Sequence, residues 1–72
     1  MNNKRRKEII SVINDIEDVI NTILEEETEA FDNMPENLQC SERGCQSEEA
    51  QDNLNRAIEL LDEVVICLED SI

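Results

Sequence analysis

Seventy-two residues with nineteen acids, six bases and no histidine make one small domain with a formal charge of −13. Below roughly 70–80 residues a single core rarely supplies more than about 3–5 kcal/mol, so a supporting partner chain is expected. The acid excess excludes direct binding to nucleic acid or to anionic lipid.

Phe31 is the only aromatic residue, so the core has to be aliphatic. No apolar run approaches the roughly 18 residues of a membrane span, and no apolar h-region follows the basic start, so neither span nor signal peptide is expected. Cys40, Cys45 and Cys67 are odd in number, which favours free thiols in a reducing, cytoplasmic setting. Without histidine, a Cys-x4-Cys pair falls short of the four ligands a closed zinc site needs. No metal or cofactor is expected, and a Cys40–Cys45 disulfide formed on purification is the more natural event.

Residues 1–7 form a basic arm, carrying Lys4, Arg5, Arg6 and Lys7. Residues 8–31 then place Ile9, Ile13, Ile16, Ile20, Ile23, Glu27 and Ala30 at alternating steps of four and three. Val12 and Val19 widen this stripe on one side, Leu24 and Phe31 on the other. Such a period predicts a helix.

The segment 32–46, DNMPENLQCSERGCQ, holds the only proline and the only glycine. Pro35 stops the first helix and extends Met34, then opens a single helical turn through Gln39 at its first position. Leu38 and Met34 can fold over Phe31, Ala30 and Ala50 as a lid. Gly44 supplies a positive φ that re-aims the chain. A lid does not need the polar residues Asn37, Gln39, Ser41, Glu42 and Arg43, so these are the candidate contact residues of the connection.

Residues 47–71 read as the second helix. Ser47 is its N-cap, Glu48 and Glu49 fill its first turn, and Ala50, Leu54, Ala57, Leu61, Val64, Leu68 and Ser71 form its seam. Ile58, Val65 and Ile72 flank that seam, and Leu60 and Cys67 form a further row. Folded antiparallel, Ile13 faces Leu68, Ile16 faces Val64, Ile20 faces Leu61, Glu27 faces Leu54, and Ile9 faces Ser71. Each helix would be about 36 Å long.

Helix dipoles support the same topology. The first helix begins with bases and ends with acids, against the usual preference. Antiparallel pairing lays Arg5 to Lys7 beside Glu69 and Asp70, and Glu25 to Glu29 near Arg56. The fold class is therefore all-α: one helical domain, residues 1–72, an antiparallel two-helix hairpin with a long ordered connection.

Two helices cannot bury stripes this wide. Val12, Val19, Ile58, Leu60, Val65 and Cys67 form the expected dimer or partner face. A symmetric dimer closing into a four-helix bundle is the first expectation, and a groove for a partner protein's helix the second.

The string from Glu29 to Gly44, E-A-F-D-N-M-P-E-N-L-Q-C-S-E-R-G, flanked by two heptad helices, resembles small uncharacterised helical-hairpin proteins of phages and prophage-bearing bacteria. The resemblance implies a bacterial cytoplasmic setting and a small accessory product. It transfers no catalytic or binding residue, and Cys40 and Cys45 depart from its pattern.

Catalysis finds no support. A general base would have to be a buried carboxylate, and Glu27, the one carboxylate on a seam, can snorkel to solvent or pair with Arg56. Ser41 has no base beside it to make it a nucleophile. The expected role is a non-enzymatic interaction protein that binds and modulates a basic bacterial host protein, a defence or nucleic-acid-handling factor. DNA mimicry is one route. The two helices carry sixteen acids against Arg56, one net charge per roughly 2.4 Å, where duplex DNA has one per about 1.7 Å. The alternatives are an oligomeric sponge for an anionic signalling nucleotide, using Arg43, Arg56 and the basic arm, or a virion component.

Overall fold

The computed structural model describes residues 2–70. It is all-α: α1 spans Asn3–Asp32, α2 spans Glu36–Gln39 and α3 spans Glu42–Asp70. The two long helices pack against each other in an elongated hairpin of 54 × 15 × 11 Å. Ser71 and Ile72 lie outside the described residues, and with them the expected Ile9–Ser71 pair and the end of the second helix at 71.

The first helix starts five residues before Glu8. Asn2 caps it, its Oδ1 accepting a hydrogen bond from the Arg5 backbone N–H at 2.8 Å. That bond satisfies one of the donors every helix start leaves open. The basic residues are thus helical rather than an arm, and Arg6 is buried, donating to Asn3 Oδ1 at 2.6 Å. The longer helices make the hairpin longer than the 36 Å expected.

α1 ends as anticipated before Pro35, with the Asn33 N–H on the Glu29 carbonyl and the Met34 N–H on the Phe31 carbonyl. Pro35 itself is the cap of α2 and not its first helical residue. Its φ of −55° and ψ of 147° are non-helical, and its carbonyl accepts from the Leu38 and Gln39 N–H groups at 2.8 and 3.1 Å.

The second long helix also starts five residues early. The Ser41 carbonyl takes the Cys45 N–H at 3.0 Å, which places Ser41, not Ser47, at the helix start. Both serines carry the same local signal, so local preference could not choose between them. Gly44 lies inside α3, and among the described residues no glycine has a positive φ. Its purpose is close approach: a Cβ on Gly44 would lie 2.1 Å from the Gln39 carbonyl oxygen. The glycine lets the start of α3 press against the end of α2.

Both long helices are rotated from the expected seam. In α1 the half-buried positions are Ile10, Glu17, Ile20, Leu24, Glu27, Thr28 and Phe31, together with the buried Ile13. Ile9, Ile16 and Ile23 remain 40, 43 and 46% exposed. In α3 the inward residues are Ser47, Gln51, Leu54, Ile58, Leu61, Val65 and Leu68, while Val64 is exposed. The rotation turns Leu24 and Phe31 inward, and the Phe31 carbonyl accepts from Gln39 of the connection. The same rotation leaves Glu17 half-buried on the seam. Thr28 meets Gln51 and Glu17 meets Asp62, within a residue or two of the expected register, but Glu27 bonds Ser47, seven residues before the Leu54 expected opposite it.

Candidate interaction surfaces

In either helix, stepping back one residue from a seam position turns about 100° around the axis. Because α1 and α3 run antiparallel, that step leads to the same side of the hairpin in both. On α1 it reaches Ile9, Val12, Ile16, Val19 and Ile23; on α3 it reaches Ala57, Leu60, Val64 and Cys67. The seven large aliphatic residues among them are 40–59% exposed. The hairpin therefore carries one continuous apolar face. Val12, Val19, Leu60 and Cys67 lie on it, whereas Ile58 and Val65 are half-buried between the helices. The row with Ile9, Ile16 and Ile23 was assigned to the seam from sequence; its exposure is what completes the face.

Stepping forward one residue reaches the opposite side, which is acidic. Asp18, Glu25 and Asp32 project there from α1, and Glu48, Asp52, Glu59, Asp62 and Glu69 from α3, all exposed, with Ile66 the one large apolar residue among them. Arg56 is engaged by Glu59 at 3.6 Å, an i, i+3 pair on its own helix, and so is not the counterion of Glu25 to Glu29. Arg5 likewise pairs with Glu8 at 3.4 Å. At the open end, Asn3, Arg6, Lys7 and Ile10 border a concavity with Glu69, which brings the basic start beside the acidic finish as the dipole reading expects.

The connection divides its polar residues. Gln39 Nε2 donates to the Phe31 and Met34 carbonyls at 3.0 and 3.2 Å, so its side chain ties α2 back onto the end of α1. Ser41 Oγ donates to the Leu38 carbonyl. Asn37, Glu42 and Arg43 remain exposed. Two of the five candidate contact residues thus hold the connection in shape, and three are available to a partner.

Near the connection the seam contains a polar layer that sequence reading did not assemble. Ser47 Oγ, 4% exposed, donates to Glu27 Oε1 at 2.7 Å. Gln51 Nε2 reaches Ser47 Oγ at 3.4 Å, and Thr28 Oγ1 donates to Gln51 Oε1 at 3.3 Å. A buried serine donating to a carboxylate satisfies both groups. The layer fixes which turn of α3 meets which turn of α1. The signal was available: Glu27 breaks an otherwise apolar seam and therefore calls for a donor opposite.

Further along, Glu17 faces Asp62. Its Oε1 is shut off from solvent with no donor beside it. The Asp62 carboxyl set against it, then desolvation, then the charges of Asp62 and Asp18 all raise its pKa above the usual glutamate value. The folded chain therefore holds this proton more tightly than the unfolded chain does. Stability contributed by the shared proton is present at acid pH and is lost as pH rises through the raised pKa. Glu17→Gln keeps a donor toward Asp62 without the charge. It should melt at a higher temperature than wild type at pH 7 and show a weaker pH dependence between pH 7 and about 5, near the ordinary carboxylate range. Parallel melting curves at both pH values would refute the shared proton.

All three cysteines are exposed free thiols. Among the described residues no three His, Cys, Asp or Glu side chains are grouped to hold a metal ion, and no helix is long and apolar enough to cross a membrane. Compared with protein-family models, curated proteins and solved structures, the chain matches none.

Proposed function

We propose that this chain is a non-enzymatic interaction protein of phage or prophage origin, acting in the bacterial cytoplasm. It pairs with itself through the apolar face as a four-helix bundle and presents its acidic faces to a basic surface of a host protein. The target class is a defence or nucleic-acid-handling factor, which it modulates or inhibits. The observation that carries this reading is the segregation of the hairpin surface into one apolar side and one acidic side.

DNA mimicry gains from pairing. A charge of −13 along 54 Å is one charge per roughly 4 Å, while two copies side by side give one per roughly 2 Å, close to the ~1.7 Å of duplex DNA. The anionic-nucleotide sponge draws no such support. The open concavity beside Leu24 is rimmed by Glu25, Glu29 and Asp32 rather than by bases.

Affinity purification from a bacterial lysate, read by mass spectrometry, tests the reading. The expected catch is a nucleic-acid-handling protein released both by competing duplex DNA and by about 0.5 M salt, where screening is a few ångströms. A partner held through both washes would refute an electrostatic contact.

A further inference from the structure

The apolar row of α1 reads the same in both directions: Ile9, Val12, Ile16, Val19, Ile23. Laid antiparallel on its own copy about a point at Ile16 or half a residue before it, it sets Ile9 against Ile23, Val12 against Val19, and Ile16 against itself. The row continues to Arg5 at one end and Glu26 at the other, both exposed. The same overlay therefore places Arg5 of each copy against Glu26 of the other, in exchange for its solvent-exposed pair with Glu8.

The second helix repeats the pattern about the same height. Leu60 and Val64 are equidistant from Asp62, as are Ala57 and Cys67. The Glu17–Asp62 contact places Asp62 level with the residue next to Ile16. One two-fold axis, crossing both helices at that level, serves both rows.

We propose that a second copy of this chain docks face to face on this surface in the reversed orientation. The connection of one hairpin lies beside the basic end of the other, with Ile16 at the axis and Arg5–Glu26 pairs closing both ends. The occupant is a second copy because the face is self-complementary in size, spacing and charge. The unreversed pairing would lay α1 of each copy on α3 of the other, setting the Ile9–Ile23 row against the shorter Ala57–Cys67 row and gathering the acidic connection ends of both copies together. Seven large aliphatic side chains, each about half open, offer on the order of 600 Å² per copy. With Ala57, Cys67, Arg5 and Glu26 added, this approaches the ~800 Å² per partner of a standard interface.

This inference rests on the self-association proposed above, and sedimentation under reducing conditions separates the two. Wild type is expected to be a dimer at tens of micromolar, and Ile16→Glu a monomer with its helical circular dichroism retained. Arg5→Glu and Glu26→Arg should each weaken the dimer by about three- to tenfold, and the double exchange R5E/E26R should restore it. A wild-type monomer at high micromolar concentration overturns both proposals. A dimer indifferent to Ile16→Glu overturns the face, and a dimer that the double exchange fails to restore overturns only the reversed orientation.

Discussion

Replacing Gly44 by alanine is expected to lower the melting temperature, although the substitution favours the helix locally. In an exposed helix interior, alanine would gain close to 1 kcal/mol over glycine. Here its Cβ would lie 2.1 Å from the Gln39 carbonyl oxygen and 2.5 Å from the carbonyl carbon, well inside contact. The obstacle is backbone and cannot rotate away. Gln39 is also anchored through its side chain to the Phe31 and Met34 carbonyls. Either the connection shifts or the first turn of α3 unwinds. Overpacking of this kind costs about 1–3 kcal/mol, and at about 4–8 °C per kcal/mol in a domain this small the net loss is readily measured. Circular dichroism melts at fixed concentration decide it. An alanine variant as stable as wild type would mean that α2 does not rest on α3.

Ile13→Ala should cost more than any other single truncation of an apolar side chain. Ile13 is 7% exposed, the one buried large hydrophobic residue among those described, whereas Ile16 one turn away is 43% exposed. Truncating a buried isoleucine removes about 2–5 kcal/mol. Against a reserve of about 3–5 kcal/mol for a core of this size, much of the population should unfold. Ile16→Ala should leave the hairpin nearly as stable at concentrations low enough to keep the chain monomeric, and should show its effect only at higher concentration, where the dimer forms. Urea melts of the two variants at low concentration distinguish the rotations. If Ile16→Ala were as damaging as Ile13→Ala, the seam would run through Ile9, Ile16 and Ile23.

Chemistry at the connection was partly legible. Pro35 announces the end of α1, and Glu27 on an apolar seam announces a polar layer. Ser47 was assigned to a helix start because its local signal equals that of Ser41; only its place opposite Glu27 reveals its use. Gly44 was assigned a positive φ, its commonest use, because sequence cannot show that another backbone segment lies against it. Of the nominated contact residues, Gln39 and Ser41 turned out to bond the connection's own carbonyls, a competition between internal and external partners that composition does not reveal.

The sequence by itself determined two long amphipathic helices and their antiparallel pairing. Three-and-four spacing over more than twenty residues has no other regular solution, and the charge at each helix end selects the fold-back. Only the tertiary structure decided how each helix turns about its own axis. α1 carries two overlapping apolar rows one residue apart, and either satisfies the period. Which one faces α3 depends on what the opposite helix and the connection can cover. Packing chose the row that ends in Phe31, half-buried Glu17 to do so, and left Ile9, Val12, Ile16, Val19 and Ile23 on the outside.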